Sequence, residues 1–231
     1  MLPIPPDVLR SIPSRIELDD HGIAVDCDRW RSELTRRGLP EPAGPLADPG
    51  GQRISRGELF ALGDADPTAS DAIQLLYNSL AWGLGGKAPW LGRRLNALQR
   101  ESETFPQLLL AAWQLVRGGT TPQVAYEALV RDNGSGRIAM LGPAFATKFL
   151  YFAQGNSSHN IVILDRVLAR SVRKAGWSGL KNAGWTPTTY AKYADLIARW
   201  AAEAAAHCGE SVEPDQVEHA IFHPRPATTP K

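Results

Sequence analysis

Asp165 is the one acidic side chain between Asp132 and Asp195. Eight basic residues share that stretch: Arg137, Lys148, Arg166, Arg170, Arg173, Lys174, Lys181 and Lys192. The whole chain is nearly balanced, with 25 Lys and Arg against 24 Asp and Glu, so this one segment is basic inside an otherwise acidic protein. Such a segment is the footprint of a phosphate-facing surface; a solvated helix face is the plain alternative. A carboxylate kept there also has two readings. Asp165 can cap the helix that follows it, a contribution of about 1 kcal/mol. It can equally serve as a fixed negative charge where positive charge develops in a reaction.

A second feature lies about twenty residues earlier. Arg137–Phe152 reads as a short helix running into Leu141-Gly142-Pro143, with a second helix from about Ala144. Gly allows a tight turn, and Pro in the first helical turn removes an amide that would have no partner there. The amides of Gly142, Ala144 and Phe145 would then sit at the positive end of a helix dipole, where a phosphate binds. An ordinary structural elbow has the same sequence chemistry.

Taken together, the hairpin, the spacing, and Leu164-Asp165-Arg166 opening a basic helix resemble the helix-hairpin-helix DNA glycosylase superfamily. The pattern is most similar to the small 8-oxoguanine DNA glycosylases of bacteria and archaea, whose hairpin helix matches Gly142-Pro143-Ala144-Phe145-Ala146-Thr147-Lys148-Phe149-Leu150. The resemblance centres on residues 133–194 and extends over roughly residues 120–222. The first hundred residues match only as helices of suitable length. Two positions depart from the family pattern. Met140 stands where the family hairpin carries glycine, and Ala144 where bifunctional members carry their nucleophilic lysine. Lys148 lies one turn later, about 5.4 Å along the same face, and helical side chains lean toward the N-terminus. It is either a displaced nucleophile or a phosphate-contacting cation.

The resemblance implies a monomer acting on double-stranded DNA with one base flipped out of the stack. Cleavage of the glycosidic bond leaves positive charge on the sugar, which Asp165 would stabilise while accepting a proton from the nucleophile. Attack by Lys148 would give a Schiff base and allow strand cleavage; attack by water would release the base alone. Arg166 and Arg170 would lie along the target strand, and Trp82, Trp90, Tyr151 and Phe152 are aromatic candidates for stacking on the base, each also a natural core residue. Neither a cofactor nor a metal is implied. His21, His159, His207, His219 and His223 read as scattered without zinc spacing.

The elements that must position these groups read as helices. Candidates are Asp28–Arg37, Ile54–Leu62, Pro67–Leu84 capped by Ser70 or Asp71, Leu91–Gln99, Glu103–Val116, Thr121–Arg131, Leu164–Ala175, Pro187–His207 and Val212–Phe222. No strand alternation stands out, and Val162–Leu164 is too short to imply a sheet. The expected class is all-α, a helix-hairpin-helix glycosylase-like fold of two interlocked helical subdomains. Residues 1–66 read as an N-terminal extension and linker, 67–222 as the glycosylase-like domain, and 223–231 as a flexible tail. No apolar run approaches the roughly 20 residues of a membrane span, and the N-terminus lacks signal-peptide character. The expected location is therefore cytoplasmic, at the nucleoid. Cys27 and Cys208 are too few for a thiolate metal cluster and read as packing residues.

Two other classes remain open at this level. A non-catalytic helix-hairpin-helix module would grip phosphates, with Asp165 only a cap. A helical interaction protein would use its basic helices on an acidic partner. Within the enzyme class, the base could be another lesion or a modified base of foreign DNA.

Overall fold

Helix starts in this chain are set by local capping chemistry. Ser14, Ser55 and Thr68 each accept a hydrogen bond from the amide three residues on. The carboxylates of Glu17, Glu58 and Asp71 in turn accept from the amides of Ser14, Ser55 and Thr68, forming reciprocal capping boxes. These boxes open α2 (Arg15–Asp19), α4 (Arg56–Gly63) and α5 (Ala69–Leu84). The cap of α5 is thus Thr68 rather than the expected Ser70 or Asp71, and Asp71 supplies the answering carboxylate. The computed structural model describes residues 2–157 and 159–223. Among these, the remaining helices are α1 (Pro6–Leu9), α3 (Cys27–Thr35), α6 (Leu91–Arg100), α7 (Phe105–Arg117), α8 (Pro122–Leu129), α9 (Pro143–Ala153), α10 (Arg166–Lys174), α11 (Pro187–Cys208) and α12 (Pro214–Phe222). The all-α, glycosylase-like expectation holds.

Two local expectations fail. Gly22–Ala24 (β1) and Arg53–Ser55 (β2) form an antiparallel ribbon, with Ile23 opposite Ile54. Three residues cannot display alternation, and the ribbon takes Ile54 out of the helix expected from that residue. The short helix expected to enter Leu141 is also missing. Instead Val130 bridges to Gly136, the Arg131 amide donates to the Ser135 carbonyl at 2.8 Å, and the Arg137 amide donates to that of Leu129. The Asn133-Gly134-Ser135-Gly136 turn commits this backbone to a bridge rather than a helix.

α9 is the central element. Every residue from Ala146 to Ala153 is buried, and the helix packs on α4, α5, α7 and α8. Such a helix must be apolar nearly all round, which makes Lys148 within it conspicuous. Residues 2–66 contribute Trp30, Leu34, Leu46, Leu59 and Phe60 to the same core. The two ends of the chain meet there as well. The Ile4 amide donates to Glu203, the Trp200 indole to the Leu2 carbonyl, and Arg15 pairs with Asp215 at 2.9 Å. The tail expected at 223–231 lies outside the described residues beyond His223. Cys27 is buried as expected, whereas Cys208 is exposed at the end of α11. No helix of the described chain is long and apolar enough to cross a membrane.

Candidate active site

Residues 161–164 form a buried irregular segment just before α10. Buried backbone outside helices and sheets leaves amides and carbonyls that need partners. Side chains supply them. Gln154 bonds both the amide and the carbonyl of Ile161, at 2.8 and 2.9 Å. The Tyr190 hydroxyl donates to the Val162 carbonyl and that of Tyr193 to the Ile163 carbonyl, each at 2.8 Å. Thr147 of α9 accepts from the Leu164 amide at 3.2 Å and donates to its carbonyl at 3.3 Å. Asp165 is therefore delivered by a strap stitched to α9 and α11, directly opposite the residue that follows Thr147.

That residue is Lys148. Its Nζ donates to Asp165 Oδ2 at 3.3 Å, and the lysine is 6% exposed. The other Asp165 oxygen accepts from the amides of Val167 and Leu168 at 2.9 and 3.1 Å. The two readings of Asp165 are thus compatible: one oxygen caps α10 and the other faces the lysine. Burial sets Lys148 apart from a surface phosphate contact. The lysine stem passes α5 at Gly83, where a β-carbon would lie 2.7 Å from Lys148 Cδ and 3.1 Å from Cε.

The pair opens into a cavity of about 240 Å³. Trp82, Arg56, Glu218, His21 and His223 complete much of its wall. Arg56 is buried, donates to the Tyr151 hydroxyl at 2.8 Å and pairs with Glu218 at 3.2 Å. Tyr151 in turn donates to Asp215 at 2.9 Å. Burial works against the Arg56 charge, but Tyr151 and Glu218 outweigh it and hold the guanidinium protonated. Burial pushes the Glu218 carboxyl above its usual range despite Arg56. Burial, reinforced by Arg56, lowers His21 to about 4, so this imidazole is neutral at pH 7.

At the hairpin, Gly142 is the N-cap of α9 and Pro143 its first residue. The Gly142 and Ala144 amides make no hydrogen bond among the described residues. The Phe145 amide differs from expectation, since it donates to the Gly142 carbonyl at 2.9 Å. The Phe145 ring instead lies under Arg94 at 4.3 Å and beside Lys148 at 5.9 Å. Met140 has φ of +61°, a left-handed turn that glycine adopts without strain. Arg94 holds this turn by donating to the Met140 carbonyl. A groove of about 430 Å³ runs from Gly142 and Ala144 to Arg166 and on to Gly184. Arg166 and Arg170 are exposed and make no ion pair among the described residues.

Among the aromatic candidates, Trp82 reaches the cavity. Tyr151 and Phe152 are fully buried, and Trp90 is 60% exposed on the surface with Arg93 over its ring. The Arg56–Glu218 pair was not legible beforehand, because its members are 162 positions apart. His219 in α12 and His223, its C-cap, carried a visible i, i+4 signal; their neighbour His21 carried none.

Along residues 16–222 the chain matches the family model described as "Putative 8-oxoguanine DNA glycosylase OGG-like protein". No curated protein and no solved structure matches the chain. Given a match over most of its length, the chain belongs to the OGG-like family of 8-oxoguanine DNA glycosylase-like proteins.

Proposed function

We propose that this protein is a DNA glycosylase that takes a single flipped base, 8-oxoguanine as first candidate, into the cavity beside Lys148 and Asp165. The observation that carries this reading is the Lys148–Asp165 pair, held at 3.3 Å on the wall of that cavity. The cavity is smaller than the roughly 300–1,000 Å³ usual for drug-sized ligands, which suits one flat base and no larger guest. Duplex DNA would be held by its phosphates at the open Gly142 and Ala144 amides and along Arg166 and Arg170.

In the reaction, the Lys148 amine attacks the anomeric carbon as the carbon–nitrogen bond to the base breaks. The bonding electron pair leaves with the base. Asp165 Oδ2 accepts the proton released by the amine and can return it to the departing base nitrogen. While the bond breaks, the carboxylate also stabilises the cationic sugar. Opening of the sugar then yields a Schiff base on Lys148, from which elimination of the 3′ phosphate cuts the strand. Monomeric action and a role in base-excision repair at the nucleoid belong to the same proposal.

The test is a duplex oligonucleotide carrying one 8-oxoguanine, incubated with protein and borohydride. A covalent adduct is expected from the unaltered chain and none from Lys148→Ala, with base release lost in Asp165→Asn. Base release without an adduct would assign attack to water. No release from 8-oxoguanine or from a panel of other altered bases would overturn the enzyme reading.

A further inference from the structure

His21, His219 and His223 place one ring nitrogen each within 4.8 Å of the others. Their rings form a triangle, with centroid separations of 4.8, 5.3 and 4.7 Å. We propose that this triad is a binding site for one divalent ion of the zinc class, held by three imidazoles with its fourth position open to the cavity. Binding is independent of the glycosylase reading and is measured without DNA.

The backbone holds all three residues in place. His219 lies in the last turn of α12 and His223 caps that helix, its amide donating to the His219 carbonyl at 3.0 Å. His21 precedes β1, and its carbonyl accepts the Arg56 amide at 3.0 Å. Zinc–nitrogen bonds of about 2.0–2.1 Å in a tetrahedron place ligand nitrogens roughly 3.4 Å apart. The observed spacing therefore closes by side-chain shifts of about 1 Å or less. Two histidines four positions apart at a helix end plus a third from a distant segment is a donor set suited to zinc.

The chemistry of the surroundings agrees. The Nδ1 atom of His21 is buried and has no hydrogen-bond partner, an unfavourable state unless something else bonds it. Of the cations that act on His21, Arg56 and Arg53, the buried Arg56 is paired with Glu218 at 3.2 Å. His21 and His223 line the same cavity as Lys148 and Asp165. An ion there would meet a water or a lone pair of whatever enters that cavity. It would also tie the segment between α2 and β1 to the last described helix.

The experiment uses the full chain, stripped with chelator and titrated calorimetrically with zinc chloride. A parallel titration with cobalt(II) is read by visible absorption. A Cys208→Ser background removes the exposed thiol as a competing ligand. One equivalent of zinc and a tetrahedral cobalt spectrum are expected. His223→Gln, at an exposed position, should weaken binding at least tenfold and bleach the cobalt band, and His21→Asn should do the same. Binding that survives both substitutions, or no binding by the unaltered chain at micromolar zinc, would overturn the proposal. Unchanged circular dichroism in His223→Gln separates loss of a ligand from loss of fold.

Discussion

Replacing Gly83 by alanine tests whether the exact position of the Lys148 amine limits the reaction. The added β-carbon would sit 2.7 Å from Lys148 Cδ, and ordinary contact begins near 3.4 Å. The stem must therefore move by about 0.7 Å, a shift comparable with the ~1 Å misplacements that cost about a hundredfold in rate. Its amine reaches Asp165 at only 3.3 Å, so the pair has little length to spare. Stability should fall moderately. Alanine in a helix gains up to about 1 kcal/mol over glycine, and crowding the buried stem costs about 1–3 kcal/mol. With roughly 2–4 °C per kcal/mol for a chain of this size, the Tm should fall by no more than about 12 °C. The assay is single-turnover release of 8-oxoguanine, paired with thermal melting. A rate loss of about ten- to a hundredfold without unfolding is expected. Gly57→Ala is the control, since its β-carbon meets Asp19 at an ordinary 3.4 Å. An unchanged rate in Gly83→Ala, with the fold intact, would refute the premise that the Lys148 geometry governs the chemistry.

The two duties of Asp165 should separate by substitution. Asp165→Asn keeps an oxygen to accept from the Val167 and Leu168 amides and should cost little stability, whereas Asp165→Ala should lose about 1 kcal/mol in a urea melt; equal stability of the two would argue against the cap. Arg166→Gln and Arg170→Gln should each lower the slope of log affinity against log salt by about 0.9 for duplex DNA, as read by fluorescence anisotropy, and slopes identical to the unaltered chain would remove these residues from the DNA surface. Arg56→Met should destabilise by about 3–5 kcal/mol because it strands Glu218 in the interior; pairing it with Glu218→Leu should recover much of that loss in denaturant melts, and no recovery would mean that the Tyr151–Asp215 arm of the network matters more.

Local sequence determined most of the helices and singled out both members of the Lys148–Asp165 pair. Capping residues, helix-starting prolines and apolar spacing are written within a few positions of where they act, so α5, α7, α9 and α11 fall within two residues of expectation. Asp165 was legible because one carboxylate in a basic stretch is anomalous within the sequence alone. Met140 shows that the turn does not need glycine: it takes a left-handed φ of +61° with the less suitable residue in place.

Tertiary structure decided what no short window contains. The β1–β2 ribbon joins segments thirty residues apart, and three-residue strands carry no period. The Arg56–Glu218 pair and the gathering of His21 with His219 and His223 depend on α12 meeting α4 and the segment between α2 and β1. Whether Lys148 faced solvent or Asp165 also turned on packing. Its spacing placed it on the face of Ala144, but burial against Gly83 and the strap pinned by Thr147, Tyr190 and Tyr193 set the 3.3 Å approach. Short-range chemistry fixes where helices begin, whereas the distance between two side chains seventeen positions apart is fixed only when the whole core closes around them.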